Sequence, residues 1–171
     1  MRTRTKILLF CIISIAFISC DRVTKSLAKT HLMNKPEVSY FHDMFKLEYA
    51  ENTGAALSLG DGLPKTVSFW LLSIMPLALM VALLIYTIKN SATLSWMKIA
   101  SLALIFAGGI GNLIDRIFFD RHVTDFMNMG ILGLRTGIFN VADVGVTAGV
   151  IGLLVFNRER TAGVQDGPLL R

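Results

Sequence analysis

Four apolar runs separated by polar segments lay out this chain. Residues 67–88 carry no charge, and about 20 apolar residues suffice to cross a hydrocarbon core, so this run predicts a membrane span. Pro76 in its middle predicts a kink, which a membrane helix tolerates. Residues 99–119 form another run that meets no charge before Asp115, and residues 138–156 form one broken only by Asn140 and Asp143. The N-terminal run, 7–20, is short for a span. Extending it to residue 28 gives the length but sets Asp21, Arg22 and Lys25 inside its outer end. Ionisable groups at that depth are costly and by default indicate a functional site.

Between the first two spans, residues 29–65 form a long outside segment. Phe45-Lys46-Leu47-Glu48-Tyr49 alternates apolar and charged there, the period of a half-buried strand. Asn52-Thr53-Gly54 and Asp61-Gly62 read as turns. The predicted fold is membrane all-α: a bundle of four transmembrane helices (about 7–28, 67–88, 99–119 and 138–156) with a small extracytoplasmic β-sheet on the membrane surface. A single integral membrane domain over 1–160 is followed by a disordered cytoplasmic tail, 161–171.

Composition agrees with a membrane protein: 53% of the 171 residues are hydrophobic and only 17% charged. The net charge of +5 raises nucleic acid as a partner, but the cations form no patch interleaved with aromatics. Most sit next to apolar runs, where Lys and Arg anchor helices at lipid headgroups, so membrane lipids are the partner they fit. Arg2, Arg4 and Lys6 precede the first span, Arg158 and Arg160 follow the last, and Lys89 and Lys98 flank the short loop between the middle two. The positive-inside rule then puts both termini in the cytoplasm. Every Asp and Glu except Glu159 and Asp166 falls on the outer side. Cys11 and Cys20 on one helix would lie about 13 Å apart at ~1.5 Å rise per residue, too far for a disulfide. His31, His42 and His122 lack metal-ligand spacing, so neither a metal nor a cofactor is expected.

The polar residues of the spans fall at one depth. Asp21 and Lys25 are spaced to pair on one helix face, as are Asn112, Asp115 and Arg116, and again Asn140 and Asp143. Gly108, Gly109 and Gly111 free space for a close neighbour, and Asp125 lies in the short outside link between the last two spans. Two adjacent carboxylates cannot both ionise cheaply and share a proton, so one can activate water while the other donates to a carbonyl or a leaving amine. Asp115 has Arg116 beside it and Asp21 has Lys25 one turn on, and an acid held by a cation is a poor proton shuttle. Elimination leaves Asp125 and Asp143 as the catalytic pair.

Five segments then resemble, in order and spacing, the motifs of the lipoprotein signal peptidase (signal peptidase II) family. They are Asp21-Arg22-Val23-Thr24-Lys25, Asn52-Thr53-Gly54-Ala55-Ala56-Leu57-Ser58, Gly108-Gly109-Ile110-Gly111-Asn112-Leu113-Ile114-Asp115-Arg116, Val123-Thr124-Asp125-Phe126 and Phe139-Asn140-Val141-Ala142-Asp143. The resemblance implies an aspartyl endopeptidase of the bacterial inner membrane. Such an enzyme removes the signal peptide from diacylglyceryl-modified prolipoproteins, cutting before the lipidated cysteine, and is blocked by the cyclic peptide globomycin. It carries the dyad onto Asp125 and Asp143, and implies that Asp21, Lys25, Asn52, Gly54, Asn112, Arg116 and Asn140 line or brace the site. It further implies four spans, an extracytoplasmic sheet and a mobile short helix over the site. Arg22 departs from the pattern, standing where the family often has an uncharged residue.

Other readings fit parts of the pattern. Asp143 alone is compatible with polar glue between helices, Asp115-Arg116 with a span-end salt bridge, and Asn52-Thr53-Gly54 with an ordinary turn. Phe17-Ile18-Ser19-Cys20 after a basic start looks like a lipobox, which would make the first span a cleavable signal. A small proton- or ion-coupled transporter accounts for intramembrane charges, but it needs ionisable groups reaching both faces, and here they sit near one. A Ser-Lys peptidase lacks an evident pair. A monomer is the simplest state.

Overall fold

The computed structural model describes residues 2–54, 62–131 and 133–162, with side chains described as far as Phe156. Helix α1 (Arg2–Leu32) is 31 residues long. At ~1.5 Å per residue that is about 47 Å, well beyond a hydrocarbon core of ~30 Å, so its polar last third carries on to meet the sheet. Near its start, Lys6 Nζ donates to the carbonyls of Ala92 at 3.2 Å and Leu94 at 2.6 Å, pinning α1 to the short interhelical link at 91–95. The residues before Cys20 are built into the bundle: Phe10 packs with Ile99, Leu102 and Ala103, and Ser14 Oγ donates to the Ala103 carbonyl at 3.4 Å. The lipobox reading would strip these from the core.

Helix α2 (Lys65–Asn90) is one continuous apolar helix. Instead of a simple kink at Pro76, it opens into a π turn, Trp70–Ile74, just before the proline. A prolyl ring clashes with the carbonyl four residues back, here Leu72, and the wider turn relieves that clash. Helix α3 (Trp96–Phe118) begins at Ser95, whose Oγ accepts from the Lys98 amide at 3.3 Å, and packs against every other helix. Helix α4 (Val141–Ala162) starts three residues later than its apolar run, because 138–140 are extended. Helices α1, α2 and α3 are long and apolar enough to cross a membrane, while the apolar part of α4, Val141–Phe156, is shorter.

Strands β1 (Val38–Tyr40), β2 (Phe45–Asn52), β3 (Val123–Ile131) and β4 (Leu134–Arg135) form an antiparallel sheet in chain order. The strand expected at 45–49 is part of β2, but half of the sheet comes from the α3–α4 link. The β2–β3 register shifts between Leu47 and Ala50, a bulge that bends the sheet beside Asp125. After β4 the chain folds back so that Phe139 bridges Met127. The motif residues Ala55, Ala56, Leu57 and Ser58, the turn residue Asp61 and the tail from residue 163 lie outside the described residues. The short covering helix is not among the described elements.

Glycines set how closely α3 and α4 approach. A Cβ on Gly108 would strike the Ala142 carbonyl and the Val146 side chain, and one on Gly111 would come within 2.8 Å of Asp21 Oδ2. Gly62 faces open space. Gly108→Ala is therefore expected to destabilise the detergent-solubilised protein by ~2 kcal/mol, the usual cost of overpacking. Gly62→Ala should stay within about 0.5 kcal/mol. Thermal unfolding of both variants checks this, and equal shifts would contradict the close α3–α4 contact.

Candidate active site

Asp125 owes its position to strand pairing. It stands opposite Ala50 in the β2–β3 ladder, and Asn52, two residues on, shares the face of Ala50. Asn52 Nδ2 accordingly donates to Asp125 Oδ2 at 3.2 Å, and the carboxyl is 3% exposed. The Asn52 side chain also closes a turn, its Oδ1 accepting from the Gly54 amide at 2.9 Å. The Gly54 carbonyl accepts from an Arg116 guanidinium nitrogen at 3.0 Å.

Asn140 and Asp143 are placed by the start of α4. Asn140 precedes the first helical residue; its Oδ1 accepts from the Asp143 amide at 3.1 Å, and Asp143 Oδ2 accepts from the Asn140 amide at 3.0 Å. This is a reciprocal capping box, with the Asp143 carboxylate at the positive end of the helix. Asn140 is thus a cap outside the helix, where the sequence placed it within the span. Because Phe139 bridges Met127, Asn140 also faces Asp125, and its Nδ2 donates to Asp125 Oδ1 at 2.6 Å. One asparagine touches both carboxylates.

Behind this pair lies a buried charge cluster. Lys25 Nζ is 2.9 Å from Asp21 Oδ2 and 2.7 Å from Asp115 Oδ2, and donates to Asn112 Oδ1 at 3.0 Å. Asp21, Lys25 and Asp115 are all essentially inaccessible to solvent. Asp21 Oδ1 accepts from the Ala142 amide at 2.9 Å, in the first turn of α4. Asn112 Oδ1 also accepts from Asn140 Nδ2 at 3.1 Å. With its oxygen taken by these donors, Asn112 turns its Nδ2 to Asp143 Oδ1, at 2.8 Å. Asp115 is paired with Lys25 and Arg22, not with the adjacent Arg116, so the span-end salt bridge between sequence neighbours is replaced by one between helices. Arg116 instead lines the cavity described next.

Asn52, Asn112, Arg116, Asp125 and Asp143 border a cavity of about 570 Å³. Its apolar wall comes from Leu71, Leu72, Met75 and Pro76 of α2 and from Val146 on α4. Burial and the neighbouring Asp143 carboxylate push Asp125 up to about 6, against the opposing pull of its Asn52 and Asn140 donors and of Lys25. Asp143 is the more accessible of the two acids. Among the described residues, no His, Cys, Asp and Glu cluster is arranged to hold a metal ion.

All ten residues singled out in the sequence meet at this end of the bundle. Asn52, Asn112, Asn140, Asp125 and Asp143 form one hydrogen-bonded group, Asp21, Lys25 and Asp115 the ion cluster, and Arg116 lines the cavity while donating to the Gly54 carbonyl. Sequence reasoning missed the α2 wall and the 136–139 return segment, both of which line the cavity. A signal was present for the cap: Asn140-x-x-Asp143 before an apolar run is a capping pattern.

The chain is matched from residue 13 to residue 157 by the sequence model of a protein family described as signal peptidase (SPase) II. The lipoprotein signal peptidase of Borrelia duttonii (strain Ly) is 34% identical over 142 residues, which cover 80% of this chain and 82% of that protein. The lipoprotein signal peptidase of Desulforapulum autotrophicum is 35% identical over 159 residues, covering 91% and 93%. A bacterial membrane enzyme structure solved by the in meso method at 2.3 Å resolution superposes with a TM-score of 0.78 at 26% identity, over 95% of this chain and 94% of that one. This chain therefore belongs to the signal peptidase II family.

Proposed function

We propose that Asp125 and Asp143 are the catalytic carboxylates of a peptidase that removes the signal peptide from diacylglyceryl-modified prolipoproteins, cutting before the lipidated cysteine. Membership of the family makes the chain a membrane protease acting on prolipoproteins, and the transporter alternative finds no support. The observation that carries the residue assignment is Asn140, which donates to one carboxylate through its side chain and to the other through its backbone amide.

The chemistry follows from the two environments. Asp125 is the more deeply buried acid and holds the shared proton, leaving the charge on Asp143. A water beside Asp143 gives up a proton to it and attacks the scissile carbonyl carbon, while Asp125 donates its proton to the carbonyl oxygen. The resulting gem-diol collapses as a proton passes from the dyad to the amine, the C–N bond breaks and the new carboxyl is released. No covalent intermediate is needed. Asn112 and Asn140 keep both Asp143 oxygens hydrogen-bonded, which fixes the base in one orientation.

A signal peptide is an apolar helix, and the apolar wall between α2 and α4 gives it a berth that leads to the carboxylates. The basic flanks of the spans support an orientation with both termini in the cytoplasm of a bacterial inner membrane and the sheet outside. The diacylglyceryl tail then stays in the outer leaflet, next to the site. Globomycin, implied by the family resemblance, would occupy the same cavity.

Asp125→Asn and Asp143→Asn should each lower cleavage of a diacylglyceryl-modified prolipoprotein by roughly 10²–10⁴-fold in a gel-shift assay, the usual worth of a positioned acid or base. Wild-type cleavage by either variant contradicts the assignment. Val146→Trp, which fills the apolar wall, should raise KM for that substrate by about tenfold with a smaller change in kcat, the pattern of lost ground-state binding. A selective loss of kcat would place the signal helix elsewhere.

A further inference from the structure

A second cavity, of about 360 Å³, lies at the same end of the bundle, on the side of the sheet that Thr124 rather than Asp125 borders. Arg22, Ser26 and Lys29 line it from one stripe of α1, with Phe119 and His122 across from them and the buried Lys25 and Asp115 among its lining. One of the Arg22 guanidinium nitrogens pairs with Asp115 and the group lies 5.3 Å from the Phe119 ring centre, which leaves further N–H donors. Lys29 is exposed and makes no hydrogen bond or ion pair with a described residue. His122 uses only Nδ1, near the Phe119 carbonyl at 3.3 Å. The other acid of the lining, Glu51, already accepts a hydrogen bond from the Tyr49 hydroxyl at 2.6 Å.

The surroundings point to where an anion for these donors would come from. Val23, next to Arg22, is 58% exposed and Phe118 is 74% exposed, although both are apolar. They adjoin in sequence the lining residues Arg22 and Phe119, at the depth where the apolar runs of α1 and α3 end, and so match an amphiphile with an anionic head and apolar tails.

We propose that this cavity binds the phosphate of a membrane glycerophospholipid through Arg22, Lys29 and His122, with the acyl chains lying along Val23 and Phe118. The bound head would share Arg22 with Asp115, and so sit one ion pair away from the Lys25 cluster that holds Asn112. The site is distinct from the peptidase cavity and does not depend on the dyad assignment.

Native mass spectrometry of the detergent-solubilised chain, titrated with phosphatidylglycerol, tests this. One lipid should bind saturably, Lys29→Glu should weaken it about tenfold, and the exposed Lys35→Glu should leave it unchanged. Arg22→Gln should weaken it similarly, and Lys29→Glu keeps the test decisive if loss of the Asp115 partner unfolds that variant. Millimolar inorganic phosphate should fail to displace the lipid. Wild-type affinity in Lys29→Glu, an equal loss in Lys35→Glu, or full displacement by phosphate would each overturn the proposal, the last by assigning the site to a free anion.

Discussion

The ammonium of Lys25 must be satisfied inside a bundle where water does not reach it, and the rest of the site depends on how that is done. Its oxygen neighbours come from its own helix, Asp21, and from α3, Asp115 and Asn112. Leaving one partner of such a buried pair alone costs ~3–5 kcal/mol, so the four groups lock α1 to α3 in one register. Asp21 then spends its second oxygen on the Ala142 amide, which fixes where α4 begins. The start of α4 is where Asn140 and Asp143 sit.

The same requirement keeps Lys25 and Arg22 from pairing with the two carboxylates, while Arg116 shares their cavity without an ion pair to either being needed to hold them. Lys25 is committed to Asp21 and Asp115, and Arg22 to Asp115, while the carboxylates of Asp125 and Asp143 accept from asparagine side chains and a backbone amide. Neutral donors hold a carboxylate in place without pinning its charge as an adjacent cation does. One cluster thus acts as a rigid brace, and the other is left able to hold the exchangeable proton that the proposed mechanism needs. The order of the Asn112 amide links them, because its oxygen answers to Lys25 and Asn140 and its nitrogen is left for Asp143.

Local patterns carried much of this from the sequence. The apolar runs of α1, α2 and α3 and the pairing of Asp21 with Lys25 depend on spacing within one helix, and spacing is visible in a single chain. The alternation at 45–49 likewise reported a strand. Long-range pairing was hidden: that Ala50 would face Asp125 and Phe139 would bridge Met127 depends on which strands meet. For that reason the link holding Asp125 read as a short connection rather than as half of a sheet, and Asn140 read as a span residue rather than a cap. The partner of Asp115 was hidden too, since Arg116 is adjacent in sequence but Arg22 and Lys25 are adjacent in space.

The central claim is that a buried, protonated Asp125 works beside a charged Asp143, and the pH dependence of kcat/KM tests it most directly, since it reports the free enzyme. Asp125 is held up to about 6 by burial and by Asp143, with Asn52, Asn140 and Lys25 acting the other way. As pH rises through that value the acid loses its proton, so kcat/KM on a diacylglyceryl-modified prolipoprotein should fall along an alkaline limb centred near 6, approaching tenfold per pH unit. A profile flat from about pH 5 to about pH 8 would contradict the account, because no proton on Asp125 would then be needed for catalysis.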